Sequence, residues 1–207
     1  MAAGDRLLPG ADLSVTELVL VGASPSETYA AIADADVSGD RLLALLGGLT
    51  DLDRRFAGER VPPRKLGELL GPALGFVQLA DEPGALRAVG LAARYSPFDR
   101  GLEPLDREGF ADFDEDGHVK TVIDFSLRPQ DGGRTLLTVD VRIRATDDET
   151  RSTLQATEFM VAPALRLLCR RLLELVKQRA EDGSGAEGAE GGDGDRDQHD
   201  ADRLPAG

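Results

Sequence analysis

The feature that most constrains the fold is a change of hydrophobic period near residue 148, after which a helical pattern holds to about residue 181. In the second half of this stretch, apolar side chains recur at positions i, i+3, i+4, i+7 and i+11, which share one helix face. They are Leu165, Leu168, Cys169, Leu172 and Val176. A helix with one apolar face has to bury it, so the preceding segments are predicted to form a sheet that this helix covers. Pro163 is expected to kink or interrupt the helix.

Alternating apolar and polar residues before that helix predict a series of antiparallel strands. The predicted strands cover residues 15–22, 76–80, 86–95, 107–114, 119–128 and 135–146. In the last two, the apolar sets begin at Val119 and Leu137, and the opposite face of each strand is predicted to be wet. The long helix is therefore expected to cover the apolar faces of residues 119–127 and 137–145.

Helix-start chemistry follows the first predicted strand. Ser24 can cap a helix, Pro25 suits the first helical position, and Glu27 stands three residues after the cap. The sequence predicts a helix from there to about Ala33. Two shorter helices are predicted over residues 39–46 and 64–70, each ended by glycine.

The two ends of the chain lack such patterns. Residues 1–13 are expected to be a flexible lead-in, and residues 182–207, rich in glycine and acidic side chains, a disordered tail. The sequence therefore predicts one folded domain over residues 14–181.

Charge and cysteine content exclude several classes of protein. The formal net charge is −14, and the body and the acidic tail are both negative, so binding to nucleic acid is not expected. Cys169 is the single cysteine, which fits a reducing compartment. Without an export signal or a run of about 20 apolar residues, we expect a soluble cytoplasmic protein with no integral membrane association. The oligomeric state stays open at this stage.

The order of predicted elements, together with several local motifs, resembles the START-like, or polyketide cyclase and Bet v 1-like, superfamily. The stretch ASPSETYAAI at residues 23–32 looks like the first strand-to-helix junction of that superfamily. Further stretches are similar to a set of uncharacterised actinobacterial members. They are Phe110-Ala111-Asp112-Phe113, then Arg142, Thr146, Asp147 and Asp148, then Phe159, Pro163 and the helix over residues 170–180. The resemblance covers about residues 14–181.

The resemblance implies an α+β helix-grip fold, in which a curved antiparallel sheet wraps around the long C-terminal helix and encloses a hydrophobic cavity. With the strand phases above, the expected lining of that cavity is Leu91, Tyr95, Thr121, Ile123, Phe125, Val139, Val141, Leu165, Leu168 and Leu172. The function expected of such a protein is binding of an apolar or amphipathic small molecule, such as a lipid or a polyketide. One alternative is a cyclase or dehydratase, and another is an interaction or chaperone-assisting module, which would need an exposed apolar patch.

An enzyme of the cyclase kind would need an acid or base facing the cavity. Tyr95 lies in phase with the apolar face of its strand and is either structural or part of the cavity. Asp124 and Asp140 are predicted to point away from the helix, as is Arg142, which is expected to be solvated. His118, after an Asp-Gly turn, is interpreted as a surface turn residue.

No cofactor and no metal site are expected. Cys169, on the apolar helix face, is interpreted as a packed thiol. The acidic stretch at residues 112–117 resembles half of a calcium loop, but Ile123 stands where the twelfth position needs glutamate, which favours an ordinary acidic turn. The basic residues of the long helix either pair with the chain's own carboxylates or attract an anionic lipid or a partner. They are Arg166, Arg170, Arg171, Lys177 and Arg179.

Overall fold

The computed structural model of the chain describes residues 3–40, 64–95 and 101–190. Within those ranges the elements are α1 (Ala3–Leu7), β1 (Leu13–Val21), α2 (Pro25–Asp34), α3 (Leu66–Leu69), a 3₁₀ turn (Pro72–Leu74), β2 (Val77–Glu82), β3 (Leu86–Arg94), β4 (Leu102–Glu103), α4 (Arg107–Asp112), β5 (His118–Gln130), β6 (Arg134–Ala145) and α5 (Asp148–Glu190). The predicted helix over residues 39–46 lies mostly outside the described residues.

The strands form one antiparallel sheet in the order β1-β6-β5-β3-β2, and β4 pairs with β3 beside this path. The last hairpin lies at the centre of the sheet, where Val141 of β6 pairs with Val15 of β1 on one side and Ile123 of β5 on the other. Helix α5 packs across the face that carries these three residues, which we call the inner face. The predicted α+β helix-grip fold is confirmed.

The start of α2 follows the predicted chemistry. The hydroxyl of Ser24 accepts a hydrogen bond from the Glu27 amide, and the Glu27 carboxylate accepts one from the Ser24 amide at 2.7 Å. This reciprocal capping satisfies amides that a helix start leaves without partners. It fixes α2 against the inner face, where Ile32 joins the main core cluster.

The predicted strand over residues 107–114 is wrong, because the structure has helix α4 there. The Asp106 carboxylate accepts a hydrogen bond from the Gly109 amide at 2.7 Å and so caps the helix. Phe110 of α4 packs on the outer face of the sheet, the face turned away from α5. Gly90 of β3 makes the space for it, since a Cβ atom there would lie 2.9 Å from Cζ of Phe110.

The outer face of β5 and β6 was predicted to be wet, and that prediction is also wrong. Lys120, Asp124 and Asp140 on this face are at most 2% exposed. Helix α4 and the N-terminal segment cover them: the Lys120 ammonium donates to the carbonyl oxygens of Ala111 and Phe113 at 2.9 and 3.1 Å. Burial is the main reason that the pKa of Lys120 is lowered.

Both ends of the predicted domain carry structure beyond the expected boundaries. Within the N-terminal lead-in, α1 lies over β5 and β6 so closely that a Cβ atom on Gly4 would be 2.6 Å from Nε of Arg142. Leu8 is buried in the outer cluster with Phe110. At the other end, α5 continues to Glu190, whereas a tail was expected from residue 182. Across the described parts of the chain, no helix has both the length and the apolar character of a membrane span.

Candidate ligand-binding site

The space between the inner face and α5 is closed at one end, which we call the filled end. Here the C-terminal half of α5 packs on the sheet and on α2 around one core cluster. Four of the residues predicted to line a cavity lie in this cluster and are at most 3% exposed: Phe125, Val139, Val141 and Leu172. Ile123 lies at the edge of the same cluster. These side chains pack tightly against one another, so they form core.

The opposite end, which we call the open end, lies between the N-terminal half of α5 and the inner face around Thr121. Thr121 pairs with Leu91 of β3, and both side chains are only half-buried although they face α5. Tyr95 and Leu165, which pack on the cluster at this end, are half-buried too, whereas the half-buried Leu168 packs against the main core cluster. The structure therefore leaves four of the predicted residues, Leu91, Tyr95, Thr121 and Leu165, half-buried on the inner side of this end, and a ligand among them stays a prediction.

A hydrogen bond of 2.7 Å between the hydroxyls of Tyr95 and Thr157 spans the open end. The Thr157 hydroxyl also lies 3.0 Å from the carbonyl oxygen of Thr153, one turn earlier in α5. A threonine hydroxyl has one hydrogen, and in a helix it is given to that carbonyl, so Tyr95 donates to Thr157. The tyrosine oxygen can then still accept a hydrogen bond from a ligand, but its own proton is engaged.

A shallow, open depression of about 430 Å³ lies on one face of α5 beside the open end, and all the residues that line it belong to this helix. We call it the flank groove. Its walls are Gln155, Glu158, Phe159, Ala162, Pro163 and Arg166. Phe159 is 74% exposed there, and Ala162 packs against the core together with Leu165. The groove therefore adjoins the half-buried interior through Ala162.

This groove was not predicted from the sequence, although two of the residues that line it are unusual for a helix surface. Pro163 stands in the interior of α5 and has no amide hydrogen, so the helix loses its usual bond to the carbonyl of Phe159. Phe159 is a large apolar residue near a helix irregularity. Periodicity alone does not show whether another segment of the chain packs over these two residues.

The basic residues of α5 divide into paired and unpaired ones. Arg170 donates to Glu17 at 3.1 Å, Arg171 to Asp40 at 2.5 Å, and Lys177 to Glu181 at 2.6 Å. These pairs follow the prediction that the helix neutralises carboxylates of its own chain. Arg166, at one end of the flank groove, forms neither a hydrogen bond nor an ion pair with any residue of the described ranges.

His118 is not the surface turn residue that the sequence predicted, because its side chain is 1% exposed. Its Nδ1 lies 2.9 Å from the carbonyl oxygen of Asp116, and its Nε2 lies 3.4 Å from the carboxylate of Glu103. The turn over residues 115–117 folds back over the ring, which also meets Phe113 edge-on. His118 points to the outer side of the sheet and contributes nothing to the open end.

The other candidate groups also lie outside the open end. Asp124 and Asp140 face outward as predicted, but they are buried, and Arg142 is not solvated either: it is 14% exposed and donates to Asp140 at 2.7 Å. Cys169 is fully buried, and burial, with Glu17 and Asp140 nearby, raises the pKa of its thiol to about 12. A thiol that holds its proton so strongly is a poor nucleophile. Among the residues that the structure describes, no cluster of His, Cys, Asp or Glu could hold a metal ion.

Comparison with known proteins leaves the family of the chain unassigned. No family model matches it, and no curated protein matches its sequence. Among solved structures, a protein from Mesorhizobium loti matches at 13% identity over 82% of this chain and 98% of that one, with a TM-score of 0.40. A protein from Thermus thermophilus matches at 16% identity over 83% and 99%, with a TM-score of 0.33.

A third solved structure is the Zhui aromatase/cyclase of a Streptomyces species. It matches at 15% identity over 85% of this chain and 98% of that one, with a TM-score of 0.31. Values this low do not bear on ligand or reaction. The chemistry of this chain has to be argued from its own residues.

Proposed function

We propose that the chain binds a hydrophobic or amphipathic small molecule at the open end, and that it belongs to the START-like superfamily. The observation that carries the proposal is the unequal filling of one interface. Four predicted lining residues at the filled end are at most 3% exposed, whereas Leu91, Tyr95 and Leu165, on the inner side of the open end, are half-buried. Apolar surface left incompletely covered inside a fold gains free energy when an apolar ligand covers it, about 25 cal/mol per Å².

Polar groups at this end suit orientation of a ligand better than catalysis. The Tyr95 proton is engaged by Thr157. Asp124 and Asp140, which a cyclase or dehydratase could have used as acid or base, lie on the opposite side of the sheet. The described residues therefore favour binding over the cyclase alternative.

An interaction module is the remaining alternative, since Phe159, Met160 and Leu167 expose apolar surface on α5. Phe159, however, borders the flank groove, and Ala162 of the same groove packs against the cluster at the open end. This continuity supports a small molecule that extends from the groove into the open end.

Titration with the neutral apolar dye Nile red tests the proposal. The native protein should bind the dye with an increase in fluorescence, and Thr121→Phe, which fills the open end, should weaken binding at least about tenfold. The matched control is Thr138→Phe, which places the same ring on the outer face of β6 and should leave binding unchanged. Melting curves confirm that both variants fold.

Two outcomes would contradict the proposal. One is that the native protein does not bind the dye. The other is that Thr121→Phe and Thr138→Phe bind it equally well, which an interaction module with an external apolar patch would produce.

A further inference from the structure

The starting observation is the contrast between Arg166 and its neighbours on α5. In a chain with a net charge of −14, Arg170, Arg171 and Lys177 each have a carboxylate partner. Arg166 is exposed and has no such partner among the described residues. Its guanidinium borders the flank groove, and no residue of the described ranges occupies any of its five N–H donors.

Arg166 lies one helical turn from a residue that packs against the apolar interior. Ala162 lies one helical turn before it on the same face, about 6 Å along the axis. Ala162 packs with Leu165 and Tyr95 in the cluster at the open end. A molecule with a polar head at Arg166 could thus place its apolar body past Ala162 without leaving the groove.

Glu158 is the other charged residue that lines the flank groove, and its charge is opposite to that of Arg166. It stands two turns before Arg166, about 12 Å along the axis, so the groove is negative at one end and positive at the other. An anionic head is repelled by Glu158 and attracted by Arg166. A guanidinium can bind a carboxylate or another oxyanion with two parallel hydrogen bonds.

We infer that the flank groove selects an amphipathic organic anion, with its oxyanion head on the guanidinium of Arg166 and its apolar body directed past Ala162 toward Leu165. This inference rests on the proposed small-molecule binding and narrows it to one class of ligand. Arg166 is then a residue that determines specificity, and Glu158 opposes it.

Three probes with the same twelve-carbon chain test the choice of head group: dodecanoate, dodecanol and dodecyltrimethylammonium, each below its micellar concentration, measured by isothermal titration calorimetry. The full-length protein should bind dodecanoate more tightly than dodecanol, and the ammonium most weakly. Arg166→Gln should weaken dodecanoate about tenfold, since it removes a charged hydrogen bond, and leave dodecanol unchanged.

Two further variants serve as controls. Arg170→Gln removes an arginine one turn away that is already paired with Glu17, and it should not change the affinity for dodecanoate. Glu158→Gln should strengthen dodecanoate binding about two- to threefold because it removes the repulsion. All three positions are exposed, so folding should be unaffected.

The possible outcomes distinguish a failure of the anion selectivity from a failure of the proposed small-molecule binding. Equal affinity for the three probes, or unchanged dodecanoate binding in Arg166→Gln, overturns the anion selectivity and leaves small-molecule binding intact. Failure of the native protein to bind any of the three probes or Nile red overturns both.

Discussion

The two halves of α5 lie on the same sheet but are packed very differently. In the C-terminal half, Cys169, Leu172, Leu173 and Val176 are at most 3% exposed, and α2 covers them from the side. In the N-terminal half, Leu154 is the one apolar side chain buried to that degree, and Leu165 and Leu168 stay half-buried. The same helix is thus a core element at one end and a partly exposed wall at the other.

Polar contacts hold the N-terminal half where apolar packing is thin. Arg151 donates to Asp12 at 2.8 Å, and Tyr95 is bonded to Thr157. Asp147 accepts hydrogen bonds from the Thr150 amide and the Gly117 amide, which ties the helix start to the turn before β5. The two ends are therefore stabilised in different ways. Apolar packing stabilises the filled end, whereas hydrogen bonds and an ion pair hold the open end in place without filling the space between α5 and the sheet.

The largest expected effect contrasts one leucine from each half. Leu172→Ala should lower the free energy of unfolding by about 2–5 kcal/mol, because it leaves a cavity in a packed core. Leu165→Ala should cost less than about half as much, since its side chain is already half-exposed. Urea unfolding of both variants measures the difference. If both variants lost the same free energy of unfolding, the open end would be packed as tightly as the filled end, and the proposed difference between the two halves of α5 would be wrong.

A second prediction concerns the polar anchoring of the open end and its pH dependence. The Thr150 hydroxyl, followed by the amides of Thr150 and Gly117, holds the pKa of Asp147 well below its usual range. A carboxyl whose pKa is lowered by folding stabilises the fold above its unfolded pKa of about 3.9, and this contribution is lost as the pH falls below that value. Asp147→Asn should therefore lower the melting temperature at pH 7, and the gap to the native protein should shrink from pH 5 toward pH 2.

The matched control for this prediction is Asp148→Asn. Its carboxylate is 97% exposed and begins the same helix, so its substitution should change the melting temperature little at any pH. A gap for Asp147→Asn that did not depend on pH would refute the proposed anchoring by its charge.

The smallest expected effect sharpens the description of the filled end. Thr28 of α2 is fully buried there, and its hydroxyl has no hydrogen-bond partner among the described residues. Thr28→Val keeps the shape and removes the orphan hydroxyl, so the free energy of unfolding should rise by about 1 kcal/mol. Thr135→Val, whose equally buried hydroxyl donates to the Ala23 carbonyl at 2.8 Å, should lower it by about the same amount. Chemical denaturation measures both changes. If the free energy of unfolding changed in the same direction in Thr28→Val and Thr135→Val, this explanation would be wrong.

The prediction of the sheet and its inner face succeeded because both are set by short-range pattern. The alternation from Val119 and from Leu137 selects one face of each strand, and the helical period after residue 148 supplies the cover. The prediction for residues 107–114 failed because a short amphipathic segment fits either period. There the capping carboxylate of Asp106 decided in favour of a helix.

The sequence predicted on which side of the sheet the candidate site residues lie, but it did not predict how deeply each of them is buried. The sequence placed Tyr95, Thr121 and Leu165 on the inner side of the fold, and the structure has them there at the open end. It did not separate them from Phe125 and Leu172, which have the same phase but lie under α2 and the second half of α5. Phase determines the direction of a side chain, whereas its coverage depends on segments far away in the chain.

By itself, the sequence determined the central strands β5 and β6, the capping of α2 and the side of the sheet that α5 covers, because propensity, capping and period act within a few residues. Tertiary structure alone decided that Lys120 and His118 are buried, since the segment that carries Phe110 and Phe113 folds back over the outer face of β5. It also decided which arginines of α5 find carboxylates. Arg170 and Arg171 reach Glu17 and Asp40, whereas Arg166 faces the flank groove, because these two carboxylates belong to segments far away in the chain, and the spacing along the helix does not determine their distance.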